Sequence, residues 1–136
     1  MASAHYNLGL KAFLDGTIVM GTDTIKVRLS RSGTYVFSQT HQFASSLAAA
    51  IGTDVTLGTK ATNGGGGLDP GCFDAADATF TAVAAGAAID SLEIYKDTGV
   101  AGTSPLIAYI DGFTVTPNGG DITIQWANAA PWVFKV

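Results

Sequence analysis

The chain has 136 residues, with 7 Lys or Arg, 11 Asp or Glu and a formal net charge of −4. Charged residues make up 13% of it, roughly half the ~25% of an average soluble domain, so we expect a neutral surface suited to assembly with partner subunits. The basic residues are scattered and form no stripe that could neutralise a run of phosphates, so we expect no nucleic-acid partner.

The start of the chain is predicted to form a short amphipathic helix over about residues 5–15. Tyr6, Leu10 and Phe13 recur there at three- and four-residue intervals, which places them on one face of a helix. Gly16 follows where the helix would end, because glycine readily adopts the left-handed conformation of a helix cap.

Two segments with different periodicity follow. Residues 22–29 alternate between apolar side chains such as Val27 and basic ones such as Arg28, which predicts a half-buried strand with one solvated face. Residues 42–51 repeat large apolar residues every three or four positions among good helix formers, and Gly52 follows them. This second pattern predicts a second short helix.

The remainder of the chain is predicted to form short strands separated by turns. Residues 54–61 alternate again, and residues 63–71 contain four consecutive glycines, which predicts a flexible connection. The strand candidates beyond it are residues 72–74, 78–83, 91–95, 106–110, 122–126 and 132–136.

These elements together predict the fold class. Strands in quick succession, without helices of about 10–15 residues between them, favour antiparallel over parallel sheets. We expect a mainly β protein, namely a single-domain antiparallel β-sandwich or jelly-roll-like barrel over residues 1–136, with one or two short helices. A chain of this length can bury a core without disulfides or metals.

No motif in the sequence predicts a bound ligand. The glycines at 64–67 are not followed by the Gly-Lys-Ser/Thr of a phosphate-binding loop. His5, His41 and Cys72 have no zinc-ligand spacing. We therefore expect no cofactor and no metal.

Asp74 and Asp77 are the carboxylates whose spacing most suggests chemistry. Such a pair can bind calcium or act as acid and base, but Asp residues beside a turn more commonly accept hydrogen bonds from local backbone amides. We expect no catalytic residue and no enzymatic activity. The alternative is a small hydrolase on a β-sandwich, which would need a pocket that joins His41 to an acidic residue and a hydroxyl.

The sequence predicts neither a membrane span nor a secretion signal. Its first residues lack a charged start followed by an apolar segment, and no apolar run approaches the ~20 residues that cross a bilayer. We expect no membrane partner, and synthesis in the cytoplasm.

Most of the chain after residue 72 resembles a family of small structural proteins of tailed bacteriophage particles. The resemblance is carried by FDAADATFTAV at 73–83, IYKDTG at 94–99, SPLIAYID at 104–111, TPNGGDITIQW at 116–126 and FKV at 134–136. The first half is similar more loosely, through KAFLDG at 11–16 and DTIKV at 23–27.

The resemblance implies a virion component without catalytic residues, located on the capsid surface as a decoration or cement protein. The implied partners are the major capsid protein and further copies of this chain, with a trimer expected. The alternative is an adaptor or receptor-binding component of the tail, baseplate or fibre, able to contact host glycans.

Candidate residues for a subunit interface are apolar side chains near the two ends of the chain, where exposure is expected. They are Tyr6, Leu10, Phe13, Trp126, Trp132 and Phe134.

Overall fold

A computed structural model describes residues 2–63, 70–128 and 133–136, which form nine strands and one α-helix. The strands are β1 Ala2–His5, β2 Ile25–Ser30, β3 Val55–Thr56, β4 Cys72–Phe73, β5 Ala78–Phe80, β6 Ile89–Lys96, β7 Leu106–Val115, β8 Ile122–Ile124 and β9 Phe134–Lys135. The helix is α1 Asn7–Leu14, and single 3-10 turns occupy Ala44–Ser46 and Ala101–Thr103.

Within the described residues, five of the strands form one antiparallel sheet in the order β1-β7-β6-β2-β3. The other four form two antiparallel ladders, β4 with β9 and β5 with β8. The predicted fold class is confirmed, since the protein is mainly β, antiparallel and sandwich-like, with one short α-helix.

The main core lies on the face of the sheet that carries the apolar side chains of β2 and β6. Ile25, Val27 and Leu29 alternate with Lys26 and Arg28 along β2, so the apolar set points to one side. The two ladders contribute further buried side chains to the same cluster, which are Phe73, Ala78, Phe80, Ile122, Ile124 and Phe134. The alternation predicted for residues 22–29 is therefore confirmed.

The N-terminal helix is confirmed within narrower bounds, because α1 begins at Asn7 and His5 belongs to β1. Strand β1 was not predicted. Its four residues, Ala-Ser-Ala-His, carry no alternation of large apolar side chains, and its position is set by antiparallel pairing with β7, where His5 lies opposite Ala108. Pairing with a distant strand leaves no local signal in the sequence.

The predicted second helix over residues 42–51 is wrong. The segment contains one 3-10 turn and then continues extended at Leu47, whose φ and ψ are −76° and 156°. Its backbone is bonded to a distant part of the chain, since the Ala44 amide donates to Ser104 and the Leu106 amide donates to Gln42. These long-range hydrogen bonds replace those within a helix.

The predicted strand bounds differ from the observed ones at several ends. The strand predicted over residues 78–83 ends at Phe80, because Ala82 has a φ of 49° and Val83 turns to bond Gly120. The strand predicted over 106–110 continues to Val115. Most of the predicted flexible connection at 63–71, and the start of the strand predicted at 132–136, lie outside the described residues.

Gly9 allows α1 to lie directly against β7. A Cβ atom on this buried glycine would overlap the carbonyl oxygen of Leu106 and would stand 3.3 Å from the Cα of Ile107. Both are backbone atoms, which cannot move aside as a flexible side chain can. The close approach of helix and sheet therefore requires glycine at this position.

We predict that Gly9→Ala lowers the free energy of unfolding by about 1–3 kcal/mol, because steric overlap outweighs the gain in helix propensity. Urea unfolding followed by circular dichroism measures it. Gly102→Ala is the control, because a Cβ at Gly102 meets no atom within 4 Å. Equal stability of Gly9→Ala and Gly102→Ala would contradict the close packing.

Candidate functional site

Three of the six predicted interface residues are buried in the chain's own core. Tyr6 and Phe134 are 0% exposed and Trp126 is 5% exposed. Phe134 stacks on Phe73 at a centroid distance of 5.4 Å, and the Trp126 indole donates to the carbonyl of Ala76 at 3.1 Å. The expectation that these three side chains are exposed is therefore wrong.

The remaining three predicted interface residues have different positions. Leu10 and Phe13 are half-buried on α1, and Phe13 packs against the main core. Trp132 lies outside the described residues. Leu10 and Phe13 thus keep part of their surface available to a partner.

Other apolar side chains are more exposed than the five predicted interface residues that the structure describes. Leu14, at the end of α1, is 90% exposed, and Val36 and Val100 are 75% and 60% exposed. The full set of large exposed apolar residues in the described structure is Leu8, Leu14, Val19, Val36, Val100 and Val136. The helix predicted over about residues 5–15 includes Leu14, but periodicity alone did not show which of its side chains the sheet would cover.

The second face of the five-stranded sheet is also covered, by the segment of residues 31–54. Arg28, in β2, holds this segment through two nitrogens that donate to the Asp54 carboxylate at 2.9–3.2 Å. A third nitrogen donates to the carbonyl of Ala48 at 3.1 Å, and the Tyr95 hydroxyl donates to Asp54 at 2.6 Å. The solvated face predicted for this strand is thus a partly enclosed polar layer.

Three ring side chains extend this polar layer toward β1. The Tyr6 and Tyr35 hydroxyls are 2.9 Å apart, and the Tyr35 hydroxyl lies 2.8 Å from Nδ1 of His41. Burial raises the pKa of Tyr6 far above its ordinary value. Among the described residues, the His41 ring is hydrogen-bonded to the Tyr35 phenol, and not to the carboxylate and reactive hydroxyl that the alternative of a hydrolase would need.

Glu93 occupies the middle of the polar layer. It is 0% exposed, and neither of its carboxylate oxygens has a hydrogen-bond partner among the described residues. Burial raises its pKa to about 7, against the opposing effects of the nearby Ser30 hydroxyl and the Arg28 guanidinium. The sequence did not single it out, because a Glu in an alternating strand ordinarily faces water.

Asp77, one of the two carboxylates whose spacing suggested chemistry, has a local structural role, since it accepts a hydrogen bond from the Trp126 amide at 3.0 Å. Among residues 2–63, 70–128 and 133–136, no three His, Cys, Asp or Glu side chains are grouped to hold a metal ion. No helix in that same part of the chain is long and apolar enough to cross a membrane.

One edge of the five-stranded sheet is only half paired. Strand β7 has ten residues, but β1 pairs with it only between Ala108 and Asp111. Residues 112–115, which we call the edge strip, pair with β6 through Val115 and have no other described strand beside them. A groove of about 260 Å³ separates the edge strip from β8.

Comparisons with protein-family models, with curated proteins and with solved structures give no match to this chain.

We predict that the contribution of Glu93 to protein stability falls as the pH rises from about 4.5 to about 7, because folding favours its protonated form. The pKa of Glu93 is about 7 in the folded chain and ordinarily 4.5. Its contribution to the free energy of unfolding is therefore full below pH 4.5 and lost above pH 7. Relative to Glu93→Gln, which stays neutral, the free energy of unfolding of the original chain should fall by about 3 kcal/mol between pH 4.5 and pH 7.

Urea unfolding of both chains across this pH range measures the difference. Thr53→Ser, at an exposed position without a titratable group, is the control, and its profile should parallel that of the original chain. Parallel profiles for Glu93→Gln and the original chain would show that Glu93 does not titrate inside the fold.

Proposed function

We propose that this chain is a non-enzymatic structural protein of a tailed-bacteriophage particle, and that it serves as a decoration or cement protein of the capsid. The observation that carries the proposal is the resemblance of residues 73–136 to small virion proteins of such phages. The mainly β fold, which the strand pattern predicted, is compatible with such a structural role.

The surface of the chain supports a role in assembly. Few charged residues are present to keep copies of the protein apart, since they make up only 13% of the sequence. Leu14, Val36 and Val100 expose most of their apolar surface to solvent. When a partner covers such side chains, the burial of their apolar surface lowers the free energy of the complex.

A cement protein acts by burying surface across a joint between shell subunits. The shell is then stabilised by mass action, because the protein binds the assembled joint and not the separated subunits. The partners in this proposal are the major capsid protein and further copies of the chain, arranged as a trimer at shell threefold positions.

We predict that the chain is present on the shell of the mature particle and bridges neighbouring capsomers. Cryo-electron microscopy of the particle whose genome encodes it tests this directly. Density in the tail would favour the adaptor or receptor-binding alternative, and absence from the particle would refute the proposal.

A binding measurement tests the exposed apolar residues separately. Shells assembled without the chain should bind the added protein, and the double variant Leu14→Ser, Val36→Ser should bind at least about tenfold more weakly. Ala49→Ser, also at an exposed position, is the matched control. Equal binding by all three proteins would show that Leu14 and Val36 lie outside the interface.

A further inference from the structure

Arg28 stands between two carboxylates in one row across the five-stranded sheet. Glu93 of β6 lies directly opposite Arg28 in the register of β2 with β6. The pairing of β2 with β3 ends with Val55 opposite Val27. Continued by one residue, this register sets Asp54 opposite Arg28 on the other side. Side chains directly opposite on neighbouring strands lie on the same face and within reach of each other, so Arg28 can reach either carboxylate.

Only one of these two carboxylates is paired with the guanidinium. The three nitrogens of the Arg28 guanidinium donate to Asp54 and to the carbonyl of Ala48, at 2.9–3.2 Å. Glu93 is 0% exposed and has no hydrogen-bond partner among the described residues. Burial without a partner disfavours an ionised carboxylate, so this arrangement fits a Glu93 that carries a proton.

Arg28 is the one cation among the described groups that interact with Glu93. Lys26, the next basic residue on this face of β2, is paired instead with Asp97 at 3.0 Å. The interacting groups come from β2, β7, the residue before α1 and the segment of residues 31–54, and they are Arg28, Tyr109, Tyr6, Tyr35 and Asp54. Burial raises the pKa of these Tyr hydroxyls, and of Tyr95 on the same face of β6, so none of them is charged at neutral pH.

Asp54 can lose the guanidinium more easily than an ionised Glu93 can stay unpaired. The Asp54 side chain is 11% exposed and follows the exposed Thr53, so water can reach it. It also keeps the hydrogen bond from the Tyr95 hydroxyl, at 2.6 Å. Glu93 cannot move toward water, because β6 is paired with β2 on one side and with β7 on the other.

The bonds from Arg28 also attach residues 48–54 to the sheet. Among the described backbone hydrogen bonds outside the strands, none is made by residues 48–54. Arg28 bonds this stretch at Ala48 and at Asp54, and Tyr95 supplies one further bond to Asp54. Without Arg28, the stretch would keep the Tyr95 bond and its apolar packing as its described attachments.

We propose that Arg28 exchanges between two partners and so forms a pH-sensitive switch. While Glu93 is protonated, the guanidinium binds Asp54 and Ala48 and holds residues 48–54 on the sheet. When Glu93 loses its proton to solvent, the guanidinium turns to Glu93 and the stretch is released. The exchange occurs near neutral pH, because burial raises the pKa of Glu93 to about 7. The inference goes beyond the proposed function and does not depend on it.

Nuclear magnetic resonance of the isotope-labelled full chain tests the exchange between about pH 5.5 and about pH 8.5. The carboxyl carbon of Glu93 reports its ionisation, while Nε of Arg28 and the carbonyl carbon of Ala48 report the position of the guanidinium. All three signals should move with one midpoint near pH 7, and the contact of the Arg28 Nε hydrogen with the Asp54 side chain should be lost above it. A contact that persists after Glu93 has ionised would overturn the proposal.

Glu93→Gln separates the switch from other titrations. The Arg28 and Ala48 signals of this variant should stay fixed across the same pH range, although His41 is still present beside Tyr35. Thr53→Ser, at an exposed position, is the matched control and should titrate as the original chain does. If the Arg28 signal of Glu93→Gln still moved with the original midpoint, another group would be responsible and the proposal would be wrong.

Asp54→Asn tests the exchange from the other side. This variant removes the competing carboxylate, so the guanidinium should bind Glu93 and lower its midpoint by at least about 1 pH unit. The amide spectrum shows whether the variant folds. An unchanged Glu93 midpoint in the folded variant would mean that the two carboxylates do not share Arg28.

Backbone relaxation measures the release of residues 48–54. Their order parameters should fall from about 0.85 to below about 0.6 as the pH passes the midpoint, while those of residues 91–95 in β6 stay high. Glu93→Gln should keep the higher values throughout. Order parameters that do not change in the original chain would refute the release.

Discussion

The structure depends on the burial of strand β6 on both of its faces. β6 pairs along most of its length with β2 and β7, and its residues 91–95 are all buried. Leu92 and Ile94 face the core that the two ladders close, while Ser91, Glu93 and Tyr95 face the segment of residues 31–54. The two ladders cover one face of the sheet. The other face is covered by residues 31–54, a segment that contains one 3-10 turn and forms no second sheet.

The composition of the covered polar face explains how that segment is held. Arg28 reaches from β2 to Asp54 and Ala48, and Tyr95 reaches from β6 to the same carboxylate, so the end of the segment is attached by charge-assisted hydrogen bonds. Phe37 stacks on Tyr109 with a centroid distance of 4.8 Å and supplies apolar cover nearby. Glu93 lies between these attachments without a hydrogen-bond partner in the described chain, so its protonation state affects how well the whole layer is accommodated.

Two kinds of surface feature remain exposed on the folded chain. Leu14 and Val36 are exposed apolar side chains, and the edge strip of β7 is exposed backbone beside a groove lined by both apolar and polar side chains. Contact with another molecule would bury the apolar side chains and would supply hydrogen bonds to the backbone of the edge strip, and both effects favour association. Interaction surfaces of this kind suit a protein that joins other subunits, which is the role we propose.

The sequence by itself determined the mainly β class, the strand of Ile25, Val27 and Leu29, and the helix near residues 7–14, because side-chain periodicity is a local property of the backbone. Periodicity does not say what covers a face. The tertiary structure therefore decided that residues 42–51 bond to the start of β7 instead of forming a helix, that Tyr6 is buried, and that Glu93 is enclosed beneath residues 31–54. Each of these outcomes comes from contacts between segments far apart in the chain, whose free energy exceeds local propensity and leaves no pattern in either segment alone.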